Sequence, residues 1–312
     1  MATRLKLRSV PHEPPTDLCD TARAYDTVAA AYLDYAEGRQ ADLFAFDGAH
    51  GFTDRALWTR LDAMLVRMWA EGRRAIRIFD AGCGPGSWLL RLVLRARDLG
   101  FAAIDGVGVD LSPTMIDIAR SRLHLAADAH IGLRFEVADL IGALAEEDEE
   151  SFDIVLCLNG VVNHMTTEER RRAADAMERV CGGDIFVTAY SVGGSPSIYL
   201  ADAYDARQFA QDNERDQLEI HLQDGRHLAL PSHLFRAEEL AELFSERMVQ
   251  LELIGLDLFH ARFGNNPRWN PKGIDHSRRD AELDRLERLC EGLPEMIDSA
   301  SQILFHGRCR AA

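Results

Sequence analysis

The sequence predicts a doubly wound α/β fold: a mostly parallel seven-stranded sheet with helices on both faces, an N-terminal helical cap and an inserted lid. Three observations predict it. Short β-branched or apolar runs alternate with helical-period stretches from Ala75 to Tyr190, the pattern of a parallel sheet covered on both sides. A glycine-rich bend joins the first run to its helix, and the alternation breaks at Ser191 before resuming near Arg236.

In chain order, residues 1–16 are Pro-rich and polar and read as a loose arm. A helix from about Thr21 to Gly38 carries Tyr25, Tyr32 and Tyr35. A second, about Thr53 to Ala70, has Leu57, Leu61, Met64, Leu65 and Met68 at helical spacing. Together they make residues 1–72 an arm and cap, and 73–312 the core. Strands are expected at Ile76–Asp80, Ile104–Asp110, Leu133–Val137, Phe152–Leu158 and Asp184–Tyr190, with helices at Ser87–Leu99, Pro113–Ala127 and Thr166–Val180 between them.

The insertion, about 191–235, reads as a helix over Ser197–Gln211 followed by strands Gln217–His221 and His227–Leu230, with Asp224–Gly225 as the turn signal. Beyond it come a helix (Arg236–Arg247), a long strand (Gln250–His260), a polar loop, a charged helix (Arg278–Glu291) and a last strand, Gln302–Cys309. The alternation in that last strand suits a sheet edge.

Composition narrows the function. The 312 residues carry 35 Lys+Arg against 51 Asp+Glu, a net charge of −16, which disfavours binding nucleic acid or anionic membranes by charge. No apolar run approaches the ~20 residues that span a bilayer, and the basic N-terminus has no apolar stretch behind it to make a signal peptide. Six scattered cysteines without a CxxC pair form neither a zinc framework nor a disulfide scaffold, so no metal is expected. Free thiols suit a cytoplasmic protein.

The segment AIRIFDAGCGPGSWLLRL, Ala75 to Leu92, carries most of the chemistry. A strand ends on Asp80, the chain breaks into Gly82, Gly84 and Gly86, and a helix begins at Ser87. Glycines let backbone approach a ligand closely, and a helix N-terminus offers free N–H groups. A pyrophosphate site is disfavoured, because Asp80 is acidic and Ser87 replaces the third glycine of the dinucleotide fingerprint. A P-loop lysine is missing too. The pattern suits a cofactor with a cationic head.

This D-x-G-x-G-x-G bend resembles motif I of the class I S-adenosylmethionine-dependent methyltransferases, a Rossmann-like family. The resemblance extends over most of 75–190 in register: GVGVDLSPTM ends its strand on Asp110, LRFEVADL leads to Asp139, and FDIVLCLNG ends near Asn159. It implies S-adenosylmethionine as cofactor and S-adenosylhomocysteine as product. Asp110 would accept the ribose hydroxyls, Leu111 and Met115 would flank the adenine, and Asp139 with Leu140 would receive its amino group. Gly82, Cys83, Gly84 and Gly86 would cradle the cofactor beside Asp80, with Asn159 near its methionine part. The helix pattern YDTVAAAYLDY resembles one that small-molecule members fold over the cofactor, which would bring Tyr32 to the methionine moiety and Tyr25 to the acceptor.

Catalytic candidates are His164, Tyr190 and His260; acceptor-contact candidates are Tyr25, Tyr199, Phe259, Arg262, Asn265 and Trp269. All are expected at the C-terminal ends of the strands, where doubly wound sheets bind ligands. Each also has a plainer reading: the tyrosines as cap packing, Asp139 as a helix cap, His164 as a hydrogen-bonding residue, 262–269 as a surface loop. The resemblance implies methyl transfer to a small molecule through N, O or S. A protein or RNA methyltransferase and a catalytically silent cofactor-binding protein stay open, as does a homodimer.

Overall fold

The structure, a computed structural model, describes residues 21, 25, 42–46, 50–194, 206–223, 225, 227–260, 263 and 277–310. The strands are β1 (Ala75–Ala81), β2 (Ala103–Asp110), β3 (Ile131–Val137), β4 (Phe152–Cys157), β5 (Cys181–Tyr190), β6 (Ala206–Asp212), β7 (Gln217–Leu222), β8 (His227–Pro231), β9 (Met248–Leu256) and β10 (Gln302–Cys309). The helices are α1 (Gly51–Ala70), α2 (Ser87–Leu99), α3 (Pro113–Ser121), α4 (Leu140–Ala145), α5 (Thr167–Val180), α6 (Ala237–Leu243), α7 (Ser277–Cys290) and α8 (Pro294–Ile297). Among the described residues no helix is long and apolar enough to cross a membrane.

Seven strands form one sheet in the order β3-β2-β1-β4-β5-β10-β9. Neighbours from β3 to β5 are parallel, and β10 is antiparallel to both β5 and β9. Strand alternation feeds two apolar layers. Ile76 and Ile78 of β1, Ile154 and Leu156 of β4 and Leu304 of β10 join Leu57, Leu61 and Leu65 of α1 and Leu89 of α2. Phe79, Val155, Cys157, Ile303 and Phe305 face the other way, onto Ala173 and Met177 of α5 and Leu240 of α6. Burial on both faces is why these strands read as near-continuous apolar runs.

Local signals set the helix starts. Ser112 caps α3 by accepting from the Met115 N–H, with Pro113 in the first turn. Thr166 and Glu169 close a capping box on α5. Chain order reverses beside β1, whose neighbours are β2 and β4, and such a switch point opens a crevice beyond the strand ends.

Three expectations are corrected. The helix over Ser197–Gln211 is not formed at its end: Ala206–Asp212 is β6, which pairs antiparallel with β7 in a separate three-stranded sheet, β6-β7-β8. Cross-strand pairing there overrides an ambiguous local pattern. The strand expected to reach His260 stops at Leu256. Asp257 turns left-handed, and the Glu287 carboxylate collects the N–H groups of Leu258, Phe259 and His260 instead of a ladder. The final strand is interior, not an edge, because its polar His306 is paired with Asp184 and Glu252 beneath it. The predicted β7–β8 hairpin forms, with Gly225 at φ +86° in its turn, and α6 is a shorter version of the helix expected there.

Candidate functional site

The bend after β1 is held open by its neighbours. The Cys83 N–H donates to the Val109 carbonyl at 2.9 Å, the Gly84 N–H to Asp110 Oδ2 at 2.9 Å, and the Gly86 N–H to the Cys83 carbonyl at 3.0 Å. Buried Arg122 adds donors to the Pro85 carbonyl and the Ser87 hydroxyl. Gly82, Gly84 and Gly86 all have positive φ. A Cβ on Gly82 would lie 2.3 Å from a Val161 methyl, so that glycine is packed shut. One on Gly84 would meet nothing within 4 Å. The loop therefore frames open space at Gly84, at the start of a helix whose first N–H groups have no side-chain cap.

Two carboxylates border that space, Asp80 buried and Asp110 half-buried. Asp80 Oδ2 has no hydrogen-bond partner among the described residues. Burial, then the charge of Asp110, pushes its carboxyl up to about 7, with the Leu89 N–H offsetting part of the rise. Asp110 is also raised by burial, although the N–H groups of Ser112, Gly84 and Leu111 work against it. A buried acid without a partner is costly unless something cationic or proton-bearing meets it. The Cys83 thiol is buried and pushed well up by burial and by both aspartates, so it packs as an inert neutral group.

Further along the rim, Met115 and Leu140 are buried and Leu111 is half-buried. Asp139 is exposed and its Oδ2 caps α4 by accepting from the Gly142 N–H at 2.8 Å. Asn159 takes a left-handed φ of 58° and donates its N–H to Thr188 Oγ1 at 2.7 Å, tying the end of β4 to β5.

A second group gathers beside Asn159. The Tyr25 hydroxyl lies 3.2 Å from His164 Nε2, and His164 Nδ1 lies 3.0 Å from the Pro231 carbonyl. A carbonyl only accepts, so Nδ1 carries the proton; Nε2 then accepts from Tyr25. Burial holds the His164 pKa below the usual imidazole value, which keeps it neutral. The Tyr190 ring packs over Gly160, where a Cβ would lie 2.5 Å from it. Burial first, then Tyr25 and Asp54, raises the Tyr190 phenol, so it stays protonated.

Asn163 fixes this corner: its side chain donates to the Tyr190 and His233 carbonyls and accepts from the Tyr190 N–H. Sequence reasoning passed over Asn163 and Arg122, whose partners lie 27 to 70 residues away. No local pattern marks such contacts.

The structure thus brings Tyr25, His164 and Tyr190 together. His260 and Phe259 form a different cluster beyond β9. His260 Nε2 is 2.7 Å from Asp284 Oδ1, and its ring stacks on Phe52 at 4.3 Å. Phe259 stacks on Phe263. Tyr32, Tyr35, Tyr199, Arg262, Asn265 and Trp269 lie outside the described residues.

Comparisons with known proteins agree with this geometry. Residues 78–183 match the family model of a methyltransferase domain, Methyltransf_25. The chain is 29% identical over 127 residues to the magnesium-protoporphyrin O-methyltransferase of Rhodobacter capsulatus, covering 41% of this chain and 51% of the relative. It is 32% identical over 133 residues to the trans-aconitate 2-methyltransferase of Sinorhizobium fredii, covering 42% and 46%. It thus spans about half the length of the curated relatives it matches. The crystal structure of magnesium protoporphyrin IX methyltransferase from Synechocystis PCC 6803 shares the fold, with TM-score 0.51 at 12% identity over 93% of this chain and 98% of that one. Sheet order, glycine bend and family match converge on one conclusion: the chain carries a class I methyltransferase domain of the S-adenosylmethionine-dependent type.

Proposed function

We propose that the protein transfers the methyl group of S-adenosylmethionine to a small-molecule acceptor, with oxygen as the first acceptor atom to test. The observation that carries the proposal is the open cradle at Gly84 beside the buried Asp80 carboxylate, whose Oδ2 has no hydrogen-bond partner among the described residues. That is a place for backbone-hugging, positively charged ligand atoms, and the cofactor's ammonium and sulfonium groups have that character. Asp110 would take the ribose hydroxyls, Asp139 the adenine amino group through the oxygen its cap leaves over, and Leu111, Met115 and Leu140 the adenine faces.

When bound, the cofactor supplies an electrophilic methyl on a good leaving group. The protein's residues have only to align the acceptor, exclude water and manage any proton. The Tyr25–His164 pair suits that last task. An acceptor hydroxyl at the Tyr25 oxygen can pass its proton to tyrosine as tyrosine passes its own to His164 Nε2. A carboxylate acceptor needs no base, and the Tyr25 hydroxyl would then orient it instead. The small size and oxygen chemistry are supported by the names of the two curated relatives, an O-methyltransferase and a trans-aconitate methyltransferase.

Incubation with methyl-labelled S-adenosylmethionine and a panel of small carboxylic acids, phenols and amines tests the reading. A labelled small product formed together with S-adenosylhomocysteine is the expected result. Tight cofactor binding without transfer to any small molecule in the panel or in a metabolite extract would reduce the protein to a binding module. No cofactor binding would overturn the cradle assignment itself.

A further inference from the structure

We infer that the outer face of the β7–β8 hairpin is a binding site for a late first-row divalent cation such as Zn²⁺, held by Glu219, His221 and His227. The site is separate from the glycine cradle and does not depend on the proposed activity.

Strand geometry makes the cluster. Residues two apart share a face, so Glu219 and His221 point the same way from β7. The register sets His227 of β8 directly opposite His221. The other face of the same hairpin holds Leu218, Ile220 and Leu230, all buried. The three polar side chains are therefore turned outward, within reach of an ion from solution. Their ligand atoms all lie within 4.8 Å of one another, the imidazole rings are 4.7 Å apart, and His227 Nε2 is 3.6 Å from Glu219 Oε2.

Those distances suit a metal. Tetrahedral zinc with bonds of about 2.0–2.2 Å keeps its ligand atoms roughly 3.3–3.6 Å apart, so the rotamers need close by only about 1 Å. Two imidazoles and a carboxylate form a borderline N,N,O donor set that prefers zinc, copper or nickel to calcium or magnesium. Three protein ligands leave coordination positions for water, the arrangement of an open site. The Glu219–His227 pair explains little of the cluster by itself, since an exposed ion pair contributes almost nothing to stability. His221 makes no hydrogen bond among the described residues that would account for its placement.

An ion here would pin β7 to β8 near the turn. β8 is also the strand whose last residue, Pro231, holds His164 by its carbonyl. The clamp would thus stiffen the strand that sets the tautomer of His164.

Zinc titrated into the full chain and followed by calorimetry, with amide exchange measured over residues 217–231, tests the site. A single zinc equivalent should bind, affinity should fall at least about tenfold in His221→Ala and in His227→Ala, and less in Glu219→Gln. Exchange across the hairpin should slow with zinc in the wild-type chain. All six cysteines remain in these variants, so binding through thiols would be unaffected by them. No zinc binding to the wild-type chain, unchanged affinity in both histidine variants, or no exchange protection in the wild-type hairpin would each overturn the site. The exchange readout needs no variant, so a misfolded substitution leaves the test intact.

Discussion

Asp80 and Asp184 are both buried aspartates on the parallel part of one sheet, yet their carboxyls are displaced in opposite directions. Ile78, Ile154 and Asp184 share a register level across β1, β4 and β5, so Asp184 sits only two residues below Asp80. Alternation places Asp80 on the face of Ile76 and Ile78, and Asp184 on the face of Phe186, the layer that α1 covers. Burial pushes Asp184 up, but His306 at 2.8 Å, Arg308 at 3.0 Å and Arg67 at 2.7 Å outweigh it and hold the carboxyl at about 2. Among the described residues no cation offsets the burial of Asp80, and its carboxyl stands at about 7. Where a charge is structural, the fold supplies its partner; at the strand ends, under the glycine bend, it does not. That difference is what a site for an external cation looks like.

The largest expected effect comes from filling the space beside Asp80. Gly84→Val should abolish S-adenosylmethionine binding, a loss of more than about a hundredfold by calorimetry. The side chain would occupy the open cradle, and the φ of +52° would add strain of about 1–2 kcal/mol. Retained affinity would show that the ligand lies elsewhere.

Asp184→Asn should give the converse result. Removing one member of a buried charge cluster leaves the others uncompensated and costs about 3–5 kcal/mol of stability, while cofactor affinity should stay within about twofold. Chemical denaturation and calorimetry on one preparation separate the two. The pH signs follow from the same cluster. Asp184, held low, contributes stability above its ordinary value of 3.8 and loses it as pH falls toward 2. His306 is lowered by burial, but Asp184 and Glu252 outweigh this and raise it. Its contribution is complete below 6.5 and fades as pH rises through its folded value.

Asp80 carries a smaller, opposite signature. Its raised pKa means the folded ligand-free protein binds a proton more tightly than the unfolded chain, so this group lowers stability as pH rises from about 4 to 7. A cationic ligand wants the ionised form. Cofactor affinity should therefore weaken about tenfold between pH 8 and pH 6, with a proton released on binding at the lower pH. Asp80→Asn should bind weakly with no such slope. An equal slope in that variant would assign the titration to another group.

How much of this was legible in the sequence follows from the range of each interaction. Strand-end residues such as Asp80 and Asp110 are placed by local rhythm, and the glycine bend between Asp80 and α2 needs only adjacent residues. Strand boundaries failed where a distant side chain decided them: Glu287 takes the backbone N–H groups after Leu256 and ends β9 early. The interior place of β10 was hidden because His306 reads as an outward polar residue until Asp184, 122 positions earlier, is seen beneath it. The helix expected over Ser197–Gln211 failed at its described end for a similar reason, since β7 supplies the pairing that makes Ala206–Asp212 a strand.

The same reasoning ranks the two histidines that sequence position alone could not separate. His164 presents an unprotonated Nε2 to the Tyr25 hydroxyl beside Tyr190. His260 spends its Nε2 on Asp284 and its ring on Phe52, beyond a strand two places removed from β5. Tyr25→Phe should thus lower kcat by about a hundredfold if the acceptor must lose a proton, with cofactor affinity unchanged. His260→Ala should be the mildest substitution, lowering turnover by less than Tyr25→Phe does, because it loosens the start of α1 through Phe52 and removes nothing that faces the acceptor. Steady-state kinetics on both variants with one identified acceptor checks the order, and a larger loss from His260→Ala would move the acceptor to the far side of the rim.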